Sequence, residues 1–393
     1  MKKEKDASRI ASIDLMRALT MTLMLFVNDI PGLKGVPLWL FHAAHGEDML
    51  GFSDTIFPAF LFCVGLSIPF ALERRIQKSQ GALAHVLWRS FALIVMGLFT
   101  LNGEMRAGNF PYPWYSLLMI PGFFLVWLTY DRLPIGRKPV LTLALRTAGV
   151  LLLLGMMIYS DIVGKPFRTG WWGILGLIGW SYLVCALTYL LFRRSTKALL
   201  SASMVGIVLC VANSSEWIPY GWFSRNLLLP FIPGGWTHHA LCLAGMAAAI
   251  IMRRMKASGS TAQLMGIFVA MGIVLLGLGW MSHQHWIISK IQATPTWLFF
   301  CLALYFPLLA LLYWVADVRK NVKWFEIIMP AGRATLTCYL LPYLIYALRY
   351  LTGLHAPGSW NYGLSGLALS LAFALITVQV VRLLIKAGVT VKL

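Results

Sequence analysis

"IASIDLMRALTMTLMLFVNDI", residues 10–30, decides the fold. Apart from Asp14 and Arg17 the run stays free of charge until Asn28 and Asp29, at about the 20-residue length a helix needs to cross a hydrocarbon core. About twelve such apolar runs fill the chain, near residues 10–30, 52–72, 83–101, 114–130, 139–159, 173–191, 198–212, 237–252, 263–281, 298–316, 326–350 and 364–387. The shorter ones also read as half-spans, so eleven is equally admitted. Composition agrees: 59% of the 393 residues are hydrophobic and 12% charged, against roughly one-quarter charged in a soluble domain. The expectation is an all-α, polytopic integral membrane bundle of 11–12 transmembrane helices, forming a single domain over 1–393.

The basic start "MKKEKDASRI" leads into a segment that has no small-residue cleavage site and carries Asp14 and Arg17, so it reads as a retained first helix. No soluble domain is expected beside the bundle. Cys63, Cys185, Cys210, Cys242, Cys301 and Cys338 fall in apolar runs without CxxC spacing, which is the pattern of small buried hydrophobes.

The formal charge of +19 would suggest nucleic acid in a soluble protein. Here its distribution gives the better account. The connections after even-numbered spans read "ERRIQK", "DRLPIGRK", "RRSTK", "RRMK" and "VRKNVK", and with the termini they hold about 21 of the 33 Lys and Arg. The opposite connections hold Lys34, Arg106, Lys165, Arg168, Arg225 and Lys290. By the positive-inside rule both termini are cytoplasmic. The other side collects all histidines but His85, with "NFPYPWY", "GKPFRTGWWG", "SSEWIPYGWFSRN" and "SHQHWIISK". Such Trp and Tyr form either a lipid-interface belt or a surface on which sugar rings stack.

Of the 14 acidic residues, Glu4, Asp6, Asp14, Asp29, Glu47, Asp48 and Asp54 fall in the first 54 positions. Ionisable groups inside a membrane are costly, so each is a functional candidate. Asp14 and Arg17 are three apart and can pair, either to fix helix packing or to serve a ligand. Arg17, Met21, Met24 and Asn28 share one helix face, with Asp14 nearby. At about 1.5 Å rise per residue, that face runs roughly 16 Å from Arg17 to Asn28, room for a long thin molecule with its charged head inside. Asp54, near the start of the second span, can cap that helix or hold an imidazole.

The stretches "SIDLMRALTMTLMLFVND" and "FHAAHGEDMLGFSDTIFPAFLFCVGLSIPFALERR" resemble the heparan-α-glucosaminide N-acetyltransferase family and its bacterial relatives of the NagX type. The opening S-x-D-x-x-R element is similar to the start of other transmembrane acyltransferases. The likeness is good over the first 75 residues, with a motif region at 10–75, and loose beyond; "ISKIQATPTWLFF" resembles a later family segment, "NKxxWTPSxxL". The resemblance implies acetyl-CoA taken from the cytoplasmic side and acetyl delivered to an amino sugar on the opposite side. It places the family's Asn at Asn28, its loop His at His42 and the Asp before F-P at Asp54. This chain departs by reading "HAAHGEDMLGFSD" where animal members have H-A-x-W-x-G, two residues shorter and with a Trp, which leaves His45 as a rival to His42.

Acyl transfer needs a group to take the acceptor's proton or carry the acyl group, and a donor facing the oxyanion. Imidazole suits the first task, a rigid amide the second. His42 is expected as base or acyl carrier, Asn28 as oxyanion donor, and Asp54 as orienter; direct transfer and an acyl-histidine intermediate both remain open. Asp29, His45, Glu47, Asp48, His238 and His239 are candidates for the acceptor side. Arg17 with Asp14, and Arg89, Arg146 and Arg333, are candidates for the CoA phosphates, helped by backbone N–H groups at "PAGRATL", although such arginines also snorkel to lipid headgroups. His238-His239 and "SHQHW" lack the companions of a zinc site, and no metal is expected. The expected partners are a small-molecule or glycan acceptor and membrane lipids, with a homodimer left open, no nucleic acid, and residence in the inner (cytoplasmic) membrane. The competing reading is an amino-sugar or N-acetylglucosamine transporter of that membrane, against which stands the lack of two repeated halves.

Overall fold

The computed structural model describes residues 10–105, 113–162, 167–170, 173–215, 236–354 and 357–393. Its helices are α1 (Ala11–Asp29), α2 (Ile56–Gln77), α3 (Ala82–Glu104), α4 (Trp114–Trp127), α5 (Pro139–Ile162), α6 (Ile174–Phe192), α7 (Thr196–Ser214), α8 (Thr237–Ser258), α9 (Thr261–His283), α10 (Pro295–Tyr313), the short α11 (Met329–Arg333), α12 (Thr335–Thr352) and α13 (Gly363–Lys386). Every one of the twelve apolar runs corresponds to one of the longer helices. Among the described residues 9 helices are long and apolar enough to cross a membrane, and there is no β-strand, only isolated bridges. The chain is an all-helical, multi-pass membrane protein. Glu4, Asp6, Arg106, Lys165 and Arg225 lie outside the described residues, as do all or part of "NFPYPWY", "GKPFRTGWWG" and "SSEWIPYGWFSRN".

The helices form two compact units: Met1–Thr20, Pro37–Ser90 and Leu177–Glu326 in the first; Met21–Val36, Phe91–Gly176 and Ile327–Leu393 in the second. In the first, α2 and α8 cross backbone to backbone. A Cβ added at Gly65 would lie 1.8 Å from the Cys242 carbonyl oxygen, and one at Gly245 would lie 2.0 Å from that of Phe62. The small residues of α8, "ALCLAGMAAAI", make that approach possible, which is how helices associate where lipid supplies no hydrophobic drive between them. Phe62 then packs edge-on against Phe306 of α10 at 5.3 Å between centroids. The most apolar window of α2 is 78% buried, that of α9 only 28%; Ile273, Val274 and Trp280 of α9 remain exposed and face hydrocarbon when the protein is in its bilayer. The N-terminus of α1 is closed by a distant carboxylate: Asp317, in the π turn after α10, accepts from the Ala11 and Ser12 amides at 2.9 Å. That satisfies two of the donors a helix start leaves open. All six cysteines are buried and free.

In the second unit α4 packs on α5 and α12 on α4. A Cβ at Gly97 of α3 would meet the Gly176 amide nitrogen at 2.3 Å, so α3 and the start of α6 touch through glycine. The C-terminal tail is tied back after α13, with the Thr129 amide donating to the Thr390 carbonyl at 3.0 Å and the Val391 amide to Thr337 Oγ1 at 3.0 Å. Asn102 bridges to Arg168 twice, accepting from its amide and donating to its carbonyl, each at 2.9 Å.

Because the α2–α8 contact is backbone on backbone, Gly245→Val should lower the melting temperature in detergent and cut the monodisperse yield, at a cost above the roughly 1–3 kcal/mol of ordinary overpacking. Gly266→Ala, where a Cβ meets nothing within 4 Å, should behave as wild type in the same thermal-shift assay. Equal melting for both variants would place the crossing elsewhere.

Candidate functional site

The polar segment between α1 and α2 turns twice before entering the bundle. A 3-10 turn at Leu38–Leu40 is followed by an extended Phe41, and a second at Phe52–Thr55 runs directly into α2. Gly51 joins them because nothing larger fits: a Cβ there would sit 2.0 Å from the Phe41 carbonyl oxygen and 2.9 Å from Asp54 Oδ2. The Ser53 hydroxyl donates to the Leu40 carbonyl at 2.6 Å. These bonds fold the segment so that its two ends meet over Asp54.

Asp54 is 1% exposed. A buried carboxylate must be compensated, and this one is: Oδ1 lies 2.7 Å from His42 Nδ1, and Oδ2 accepts from the Ala43 amide at 2.9 Å. Lys290 Nζ is 3.8 Å from the same Oδ1 and 3.2 Å from His42 Nδ1. The shorter carboxylate contact assigns the proton to Nδ1, so Nε2 carries the lone pair. No protein group among the described residues is bonded to Nε2, and the ring is 39% exposed. An imidazole oriented through one nitrogen by a buried acid and open at the other is the arrangement of a base or nucleophile. From below, Trp297 Nε1 donates to the Asp54 carbonyl at 3.2 Å and the Tyr305 hydroxyl donates to the Thr55 carbonyl.

A second strap holds the same segment to the 284–294 connection. Asp48 accepts from the Ile288 amide at 2.8 Å and contacts His283 Nε2 at 2.7 Å. The Ile288 amide, against an opposing effect of burial and with His283 adding to it, keeps the Asp48 carboxyl below its ordinary range. Glu47 closes a local turn by accepting from the Ala44 amide at 2.7 Å. His45 is exposed and makes no hydrogen bond among the described residues, so the geometry that organises an imidazole is found at His42.

The remaining sequence candidates are dispersed. Asn28 and Asp29 belong to the second unit, where Asn28 lines a cavity of 240 Å³ and Asp29 accepts from the Tyr346 hydroxyl at 2.6 Å. His238 packs against Phe57 and Trp297, and His239 Nδ1 meets the Ser181 hydroxyl at 3.1 Å; both are buried in the first unit. Arg17 pairs with Asp14 at 2.8 Å. Arg89 lies over the Tyr182 ring at 4.6 Å and Arg146 over Tyr130 at 5.6 Å. Arg333, at the end of α11, is exposed. Lys290 and Trp297 join the site without a role read from the sequence, whereas His283 of "SHQHW" is one of the histidines read as acceptor-site or interface residues. Their signal was available: Lys290 is among the few cations of its side of the chain, and "ISKIQATPTW" is one of the segments carrying the family resemblance.

Residues 9–109 match the family described as "Heparan-alpha-glucosaminide N-acetyltransferase, catalytic". The chain is 31% identical over 123 residues to the heparan-alpha-glucosaminide N-acetyltransferase of Mus musculus and 32% identical over 117 residues to that of Homo sapiens. These alignments cover 30% and 29% of this chain but only 18% and 16% of the relatives' length. The matched segment contains Asn28, His42 and Asp54.

Burial favours the neutral form of Lys290, lowering its proton affinity below the ordinary 10.5, while Asp54 opposes the shift. Between the lowered value and 10.5 the unfolded chain holds more protons than the folded one, so this group makes stability rise with pH. Amine-selective labelling followed by mass spectrometry should therefore show Lys290 reacting with a midpoint below that of free lysine, and lower still in Asp54→Asn. A midpoint at the free-lysine value would remove the buried contact.

Proposed function

We propose, from the match of residues 9–109 to an N-acetyltransferase catalytic family, that this chain is a transmembrane acyltransferase of the inner membrane. It moves acetyl from cytoplasmic acetyl-CoA to a glucosamine-like amino sugar, or a related glycan, on the extracytoplasmic side. The observation that carries the reading is the His42–Asp54 pair within the matched segment, its Nδ1 held at 2.7 Å and its Nε2 open.

In the direct route His42 Nε2 takes a proton from the acceptor amine as that nitrogen bonds to the acetyl carbon. The C–S bond breaks and the CoA thiolate takes up the proton. In the covalent route Nε2 itself first bonds the acetyl carbon, releasing CoA, and the amine then displaces the imidazole. Asp54 serves both by fixing the ring and stabilising its positive charge. Asn28 is assigned to the carbonyl oxygen as charge builds there, and Arg17, Arg89, Arg146 and Arg333 to the phosphates of CoA. Lys290, beside Nδ1, helps fix the position of the ring.

Purified protein incubated with labelled acetyl-CoA and a panel of amino sugars should transfer label. His42→Ala should remain folded, still bind acetyl-CoA, and transfer at least about a hundredfold more slowly, the scale of a lost general base. Asn28→Ala should lose about 10²- to 10³-fold, and His45→Ala much less. A normal rate in His42→Ala with a dead His45→Ala would move the role to His45. Uptake of an amino sugar without label transfer would replace the enzyme by a transporter.

A further inference from the structure

The chain leaves α10 through "VRKNVKWFE", residues 318–326. The membrane-spanning run ends at Val318, and three cations, Arg319, Lys320 and Lys323, follow at once. The backbone there is pinned. The Arg319 amide donates to the Trp314 carbonyl at 2.8 Å and the Asn321 amide to the Val315 carbonyl at 3.0 Å, closing the π turn of Trp314–Val318. Lys320 takes a left-handed φ of 55° to turn the chain away, and a 3-10 turn at Lys323–Phe325 follows.

This turn presents side chains that a water-facing loop has no use for. The Trp324 indole is 82% exposed and Val318 41%, beside cations that are themselves exposed. No carboxylate among the described residues forms an ion pair with Arg319, Lys320 or Lys323. The guanidinium of Arg319 lies over the Trp314 ring at 4.8 Å, and Asp317 is turned to the Ala11 and Ser12 amides. That leaves Glu326 against three cations, so the segment is positive. An indole just past the end of a spanning helix, with unpaired cations around it, matches the two sides of a lipid headgroup layer. The ring suits the boundary between headgroup and acyl chains, and the guanidinium and ammonium groups suit phosphate. One indole and its neighbours fall far short of the roughly 800 Å² per partner of a stable protein interface, so the surface fits lipid and not an acidic protein.

We infer that residues 318–326 form a docking surface for anionic phospholipid, with Trp324 set into the headgroup boundary and Arg319, Lys320 and Lys323 holding lipid phosphate. The leaflet is the one on the side of the basic connections. The inference is independent of the transferase reading, since none of these residues belongs to its site. Lipid with a net negative charge is held there in preference to zwitterionic lipid, because the surface itself carries net positive charge.

The test uses the full-length protein in nanodiscs of mixed phosphatidylglycerol and phosphatidylcholine. Native mass spectrometry of the released protein should show phosphatidylglycerol retained in preference to phosphatidylcholine. Replacing the three cations together (Arg319→Gln, Lys320→Gln, Lys323→Gln) should weaken that retention at least about tenfold, each cation being worth up to about fivefold before screening by salt. Added inorganic phosphate should leave retention unchanged; displacement by it would make the ligand a free phosphate and overturn the lipid assignment. Trp324→Phe serves if the triple variant is not recovered folded, because a side chain this exposed supports little of the fold. The emission lost on that substitution should be smaller in bilayers of brominated phosphatidylglycerol than in plain ones, as for an indole within reach of the bromine. Equal retention of the two lipids, retention that survives the triple substitution, or Trp324 emission untouched by bromine overturns the docking surface.

Discussion

The buried carboxylate of Asp54 is the constraint on which the candidate site depends. A negative charge at 1% exposure is tolerated only because His42, the Ala43 amide and Lys290 surround it. Meeting that requirement forces the segment from Pro37 to Asp54 to fold back on itself and draws the 284–294 connection onto it. The same electrostatic demand therefore shapes the loop and orients the imidazole. Trp297 and Tyr305 continue the support downward into α10, so the imidazole rests on a transmembrane helix rather than on a free loop. Positioning of this kind is what allows a side chain to act without reorganising during the reaction.

The bundle beneath follows from the solvent. With lipid on the outside, close approach rather than hydrophobic exclusion holds helices together, and Gly65 with Gly245 and Gly97 with Gly176 supply it. The second unit adds a cavity lined by tyrosines and a carboxylate.

The helices were legible because each falls on an apolar run, although among the described residues only 9 are long and apolar enough to cross a membrane and α4, at 14 residues, is shorter than a span. Asn28, His42 and Asp54 were legible through the resemblance, and the structure joins the last two. What stayed hidden depends on distance along the chain. Lys290 and Trp297 lie some 240 positions from Asp54, and a single lysine in a polar connection has no periodicity to mark it. Asp317 capping α1 is hidden for the same reason. His238 and His239, prominent as a pair in sequence, turn out to be core residues, because adjacent helix positions point to different faces and the surrounding aromatics supply their packing. The tyrosines of α12 recur at helical spacing, yet in a chain with 14 tyrosines such a stripe looks like an interface belt until the cavity behind it is seen.

Transfer in this protein would depend on one atom, His42 Nε2. Acylation of exposed imidazoles with diethyl pyrocarbonate, mapped by peptide mass spectrometry and followed alongside acetyl transfer, addresses it most directly. Loss of transfer should track modification of His42 alone, one group per chain, and prior binding of acetyl-CoA with acceptor should slow both together. Full modification of His42 with transfer intact, or inactivation that follows His45 or His283 instead, would contradict it.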